Sequence, residues 1–191
     1  MGTWADFERL TGKLEKHGRS VHSFLVEGVE VDVLPYGDIE GEDRTILWPD
    51  DHRMNVLGLR EAVASAETAL LPEGLVVRVP SMPSLALLKL LTWWDRRAST
   101  TRDAIDLATM IGWYSSENYL DRLYEDELAV LTRYDFDPAQ AGAWLLGSHM
   151  AAMLEDSGVA SLLRIVEDDD VLARLARDAR LPRWDLVRAL G

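Results

Sequence analysis

The sequence predicts an α+β fold, with a small sheet in its first half and helices through its second. Two observations predict this. Strand-like runs, in which β-branched and apolar residues alternate with polar ones, occur only before residue 83, in HSFLVEG, VEVDVLPYG and LVVRVPS. From residue 83 onward the apolar residues recur at helical spacing to the C-terminus. The order is one helix, then strands, then many helices, which places the helical part C-terminal to the sheet.

Each element has its own signal. Trp4, Phe7, Leu10 and Leu14 recur at helical spacing before Gly18, so a first helix is expected over residues 4–17. SVHSFLVEGVEVDVLPYG reads as two strands joined at Glu27-Gly28 by a tight hairpin. The segment GDIEGEDRTILWPDD has no period and reads as irregular, and LREAVASAE as a short helix. LVVRVPS is a third strand, stopped by Pro80 and Pro83. PSLALLKLLTWWDRR and TTRDAIDLATMIGWY form two helices, the second with Thr100 or Thr101 as N-cap. DPAQAGAWLLGSHMAAMLED, VASLLRIVEDDDVLARLARDAR and RWDLVRAL supply further amphipathic helices. The division expected is a sheet-bearing part over 1–82 and a helical part over 83–191 that packs on it.

Composition narrows the function classes. The chain has 191 residues, 48% of them hydrophobic, enough for one sizeable core or a small α/β core with a helical annex. A net charge of −13 argues against a protein that coats nucleic acid generally, because neutralising phosphates takes basic surface. A local basic pocket remains compatible with it. There is no cysteine, so neither a disulfide framework nor a thiolate metal site is available. The N-terminus lacks the apolar stretch of a signal peptide, and SLALLKLLTWW is interrupted by Lys89 and too short to span a bilayer. A soluble, cytoplasmic protein without a membrane segment is expected.

Two constellations could carry chemistry. Glu30 and Asp32 fall on one face of a strand about 7 Å apart, at roughly 3.3 Å of rise per residue. They read either as a solvated acidic face or as carboxylates that share a divalent metal, since Mg²⁺ takes one or two carboxylates together with water and phosphate oxygens. Lys89, Trp93, Arg96 and Arg97 share one side of a helix, and on the next helix Asp103 and Asp106 share a face. Cations set against a carboxylate pair suit a phosphate-bearing ligand; the same residues also suit two helices latched by ion pairs. Asp135-Phe136-Asp137 and Asp168-Asp169-Asp170 read as N-caps or solvated acids, and Gly147-Ser148 lies within a helical pattern. His17, His22, His52 and His149 have no metal-ligand spacing and read as surface or cap residues.

GVEVDVLPYGDIEG, WPDD followed by MNVLGLREA, VPSMPSLALLKLLTWWDRR, TRDAIDLATMI and, in the helical tail, AGAWLLG occur in that order. In this arrangement the chain resembles the nucleotidyltransferase-like proteins of the AbiEii/AbiGii toxin type, within the polymerase-β-like nucleotidyltransferase superfamily. The resemblance implies a truncated nucleotidyltransferase-like small mixed sheet with a helical C-terminal half. It implies that Asp32 stands at the position of the third metal-binding acid, and that Lys89 is the helical lysine that contacts the triphosphate. Asp103, with Asp106 as the alternative, matches a later aspartate that orients Lys89 or an arginine, and Arg96 and Arg102 sit where phosphate contacts are useful. The superfamily's Gly-Ser turn and D-x-D, which hold phosphates and Mg²⁺, have no match in these residues; they are expected to lie upstream of Met1 or to have been lost. A complete protein of this kind moves a nucleoside monophosphate from an NTP, with Mg²⁺, onto an acceptor hydroxyl. This chain by itself is then expected to transfer weakly or not at all. The alternative is a non-catalytic module that keeps the fold and binds a partner protein such as an antitoxin, an acidic surface suiting a basic partner.

Overall fold

The computed structural model describes residues 3–116 and 118–191, in two compact units, Met1–Arg60 and Glu61–Gly191. The class is α+β: the described residues form ten α-helices, and the strands pair into small antiparallel sheets. In place of one small mixed sheet, the paired strands among the described residues make one three-stranded and two two-stranded pieces. The division falls after Arg60, ahead of the third expected strand, so that strand belongs with the helices. Among the described residues no helix is long and apolar enough to cross a membrane.

In the first unit, α1 (Trp4–Thr11) is capped by Thr3, whose side chain accepts from the Asp6 N–H. It ends six residues earlier than its apolar period suggests. The Thr11 hydroxyl bonds back to the Phe7 carbonyl, the Gly12 N–H closes on the Glu8 carbonyl at 2.7 Å, and the chain turns into β1 (Glu15–Lys16). Leu14 keeps its place against the core from this turn rather than from a helix, so strand pairing of Glu15 with Leu25 overrides local periodicity.

The hairpin of β2 (Ser23–Val26) and β3 (Val29–Asp32) is as the sequence predicts. Glu27 and Gly28 both take positive φ, 50° and 83°, the backbone of a two-residue turn whose twist matches the strands. That register sets Phe24, fully buried, opposite Val31, and Ser23 opposite Asp32. The segment expected to be irregular holds β4 (Thr45–Leu47), which pairs with β5 (Arg53–Asn55) just after it in a second hairpin. Ahead of it the Glu40 carboxylate, only 1% exposed, accepts from the Gly37 N–H and the Arg44 guanidinium, both at 2.6 Å, and lies 3.5 Å from Arg60. The core is Phe7, Phe24, Ile46, Trp48 and Val56, with Trp4 and Phe7 meeting Trp48 edge-on at 5.3 and 5.5 Å.

α2 (Leu59–Ala64) leads into the second unit. It ends where the Ser65 hydroxyl bonds to the Glu61 carbonyl, and the last residue of the expected helix, Glu67, opens β6 (Glu67–Leu70), paired with β7 (Val76–Val79). Then follow α3 (Met82–Arg96), α4 (Arg102–Trp113), α5 (Asn118–Glu125), α6 (Leu128–Arg133), α7 (Pro138–Ala152), α8 (Asp156–Val166), α9 (Asp169–Asp178) and α10 (Trp184–Arg188). PAQAGAWLLGSHMAA is apolar nearly all round, and a helix of that kind is buried. Accordingly α7 is the axis of the unit, packed by α3, α4, α5, α6, α8 and α10. Asp137 and Asp168 cap α7 and α9 by accepting two backbone N–H groups each, as their position before a helix predicts.

Candidate functional site

α3 and α4 pack against each other, and their facing sides carry the only predicted site residues that the structure joins among those described. Lys89 faces outward from the apolar row Ala86, Leu87, Leu90, Leu91, which fixes α3 on its neighbours. Its ammonium lies 2.9 Å from an Asp103 carboxylate oxygen and 2.7 Å from one of Asp106. The i, i+3 spacing of the two aspartates on α4 puts both within reach of one cation. Their environments differ: the Asp103 side chain is 11% exposed, that of Asp106 41%, and that of Lys89 28%. Asp103 is therefore the inner, fixed partner and Asp106 the one that water or a ligand can replace. Burial on its own would lower the Lys89 pKa; the bonds to Asp106 and Asp103 outweigh it and hold the lysine above its usual value.

The rest of the expected cationic face separates. Trp93 is wholly buried and donates its indole N–H to Asp178 at 2.9 Å, so it belongs to the core rather than to a binding face. Arg174 on α9 reaches the same Asp178 at 3.6 Å and bonds to the Arg97 carbonyl, while the Arg97 guanidinium lies over the Trp94 ring at 3.5 Å. Arg96, in the last turn of α3, and Arg102, the first residue of α4, are exposed and enter no ion pair among the described residues. Thr101 occupies the N-cap position of α4 without a side-chain bond, and the Thr100 hydroxyl accepts from the Arg102 N–H instead, at 3.2 Å.

Asp32 lies in the first unit, at the end of an exposed strand, where it accepts a short hydrogen bond from Ser23 across the hairpin. Glu30, on the same face, lies 3.9 Å from the His17 imidazole. A two-metal centre takes several carboxylates converging on one point. No group of three His, Cys, Asp or Glu among the described residues could hold a metal, and between Asp103 and Asp106 the Lys89 ammonium already stands where a cation would sit. The described residues thus do not fit Mg²⁺, and no step through it is derived from them.

A second polar cluster was not anticipated. His149, expected at the surface or in a cap, is half-buried on α7 with Nδ1 bonded to the Tyr114 hydroxyl and Nε2 3.3 Å from Arg122. Arg122 also meets Glu127 at 3.6 Å, and the Tyr119 ring lies 4.4 Å from that of Tyr114. Burial pushes the Tyr114 phenol up to about 12, against the pull of Arg122. Burial and then the Arg122 charge lower the His149 pKa, with Glu127 opposing. The partners are 35 and 27 residues from His149, so no local spacing could have revealed them. Because the folded state favours neutral His149, its contribution to stability is complete above the unfolded pKa of about 6.5 and is lost as pH falls from there through the lowered folded value. Urea unfolding at pH 7, 6 and 5 should give a falling midpoint that flattens in His149→Gln; equal slopes in both proteins would contradict this.

No family model matches the chain, no curated protein matches it, and no solved structure matches its fold.

Proposed function

We propose that the chain is nucleotidyltransferase-like, of the AbiEii/AbiGii toxin type, and that its second unit supplies the residues that bind the triphosphate. The observation that carries this reading is Lys89 held by one buried and one exposed aspartate on the adjacent helix, with two uncommitted arginines, Arg96 and Arg102, at the near ends of those helices. In this reading Asp103 orients the ammonium, and phosphoryl oxygens displace the exposed Asp106 carboxylate from it. Arg96 and Arg102 add charge-assisted bonds to the phosphates.

In a transfer of this type the acceptor hydroxyl gives its proton to a base and its oxygen bonds to the α-phosphorus, the bond from that phosphorus to the oxygen bridging the β-phosphate breaks, and pyrophosphate leaves. By themselves the described residues bind the nucleotide and transfer it weakly or not at all, since they form no metal-holding acid cluster. An NTP substrate and the absence of cysteine fit the cytoplasm.

Equilibrium dialysis with labelled ATP, GTP, CTP and UTP tests the reading. Binding of at least one is expected, weakened about tenfold in Arg96→Ala or Arg102→Ala alone, the size of one lost charged contact, and about a hundredfold in the double variant, with little or no label passing to RNA or protein. No saturable binding, or binding indifferent to both arginines, would sink it. A second reading, a non-catalytic module for a basic partner such as an antitoxin, draws on the net charge of −13 and on the β6–β7 ribbon, where Leu70, Leu75 and Val76 are exposed together.

A further inference from the structure

β3 is an outer strand of the three-stranded sheet, whose order is β1-β2-β3, and all four of its residues are exposed. The register fixes which of its backbone groups face outward. The Ser23 carbonyl accepts from the His17 N–H at 3.0 Å, so Ser23 turns its backbone toward β1 and away from Asp32, its partner on β3. One residue further, the Val33 N–H bonds to the His22 carbonyl at 2.8 Å, which makes that pair a hydrogen-bonded one. Antiparallel pairs alternate, so Val31 and Val29 bond to β2, while Glu30 and Asp32 direct their N–H and C=O groups away from the sheet. These groups enter no backbone bond outside the sheet among the described residues. Side chains alternate in step. Glu30 and Asp32 share one face, and Glu15 stands in the same cross-strand row as Glu30. Val29, 62% exposed, and Val31 share the other face, which continues the apolar side that holds Phe24. Around the edge the charge is of one sign: residues 20–43 carry seven Asp or Glu and no Lys or Arg.

We infer that the β3 edge takes an extended segment of a basic partner protein as an added antiparallel strand, one in which Lys or Arg alternates with aliphatic residues. Each property of that segment has a cause on the edge. Two outward N–H and two outward C=O groups are a template for strand addition. Directly opposed residues of an antiparallel pair share a face, so cations opposite Glu30 and Asp32 meet carboxylates, and the aliphatic residues between them cover Val29 and Val31. The same rule argues against a second copy of this chain, whose β3 would set acid against acid, and the acidic face repels nucleic acid. The inference concerns the first unit alone and stands whether or not the second unit binds nucleotide.

The probe is the capped heptapeptide Thr-Val-Lys-Val-Lys-Val-Thr, fluorescently labelled and titrated into the full chain at low salt, with anisotropy as the readout. Saturable binding is expected, weakened at least about tenfold in Glu30→Lys, the size of a lost charged contact, while the analogue with glutamate for both lysines should not bind. N-methylation of both lysine amides, which face β3 in antiparallel order, should weaken binding at least about tenfold. N-methylation of the central valine, whose amide faces away, should change it by about twofold or less. These peptides need no protein variant, so the test stays decisive if Glu30→Lys does not fold. In the complex, amide exchange should slow at Glu30 and Asp32 and stay unchanged in the β6–β7 ribbon. No saturable binding, binding indifferent to methylation of the lysine amides, or slowed exchange in β6–β7 without any at β3 would overturn the proposal. So would exchange at Glu30 and Asp32 that slows when the chain alone is concentrated, because a second copy then closes the edge.

Discussion

Lys89→Met is expected to lower the unfolding free energy by about 2 kcal/mol, a discounted form of the 3–5 kcal/mol that follows breaking a fully buried pair. The loss comes from what remains. Asp103, whose side chain is 11% exposed, keeps its charge without its cation, whereas Asp106, at 41%, turns to water. Asp106→Asn should therefore cost less than about 0.5 kcal/mol, as exposed pairs usually do. Asp103→Asn should fall between the two, and in the double variant Lys89→Met/Asp103→Asn the costs should add to less than their sum. Urea unfolding followed by circular dichroism gives all four values. The raised Lys89 pKa sets the pH window: the pair is fully present below about 10.5 and is lost as pH rises through the folded value. The same variants separate a latch from a binding site. If Lys89 only ties two helices, Asp106→Asn leaves nucleotide affinity where it was. If phosphate displaces Asp106, removing that competing charge tightens NTP binding several-fold while stability hardly moves. Equal stability costs for Asp103→Asn and Asp106→Asn would overturn the inner and outer assignment.

What the sequence made legible follows from how local each cause is. The hairpin at Glu27-Gly28 and the caps at Asp137 and Asp168 are set by two or three adjacent residues, and they stand where the pattern puts them. The pairing of Lys89 with Asp103 and Asp106 was legible for a related reason, since two helices joined by a short link return to face each other. The errors sit where a contact distant in sequence outvotes a local period. Leu14 extends the α1 pattern but belongs to a turn, because Glu15 pairs with Leu25. Glu67 extends the α2 pattern but pairs with Val79. TIL and RMN are too short to display alternation and become strands only by pairing with each other. Trp93 matched a cationic face by spacing, yet the partner that decides its role, Asp178, lies 85 residues away. The Tyr114–His149–Arg122 cluster was illegible for the same reason.

Gly147→Ala and Gly112→Ala, identical changes inside two helices of one unit, are expected to move stability in opposite directions. In an exposed helix the exchange gains about 0.5–1 kcal/mol, because alanine loses less backbone freedom on folding. Gly112 on α4 has nothing within 4 Å of where a Cβ would stand, so it should gain that amount. At Gly147 on α7 the same atom would lie 2.0 Å from the Leu190 carbonyl oxygen and 2.7 Å from its carbon. The obstacle is backbone, which no rotamer change can clear. Val187 and Leu190, just before the C-terminus, are buried, so the close approach of this segment to α7 is what the glycine permits. Overpacking of this kind costs about 1–3 kcal/mol, and relief is available only by lifting α10 away from α7. Gly147→Ala should therefore lose about 2 kcal/mol in urea unfolding, with hydrogen exchange accelerated first at residues 184–191. Should Gly147→Ala prove neutral or stabilising while Gly112→Ala gains as expected, the seat of α10 on α7 is not the close one described, and the C-terminal helix holds to the unit by its side chains alone.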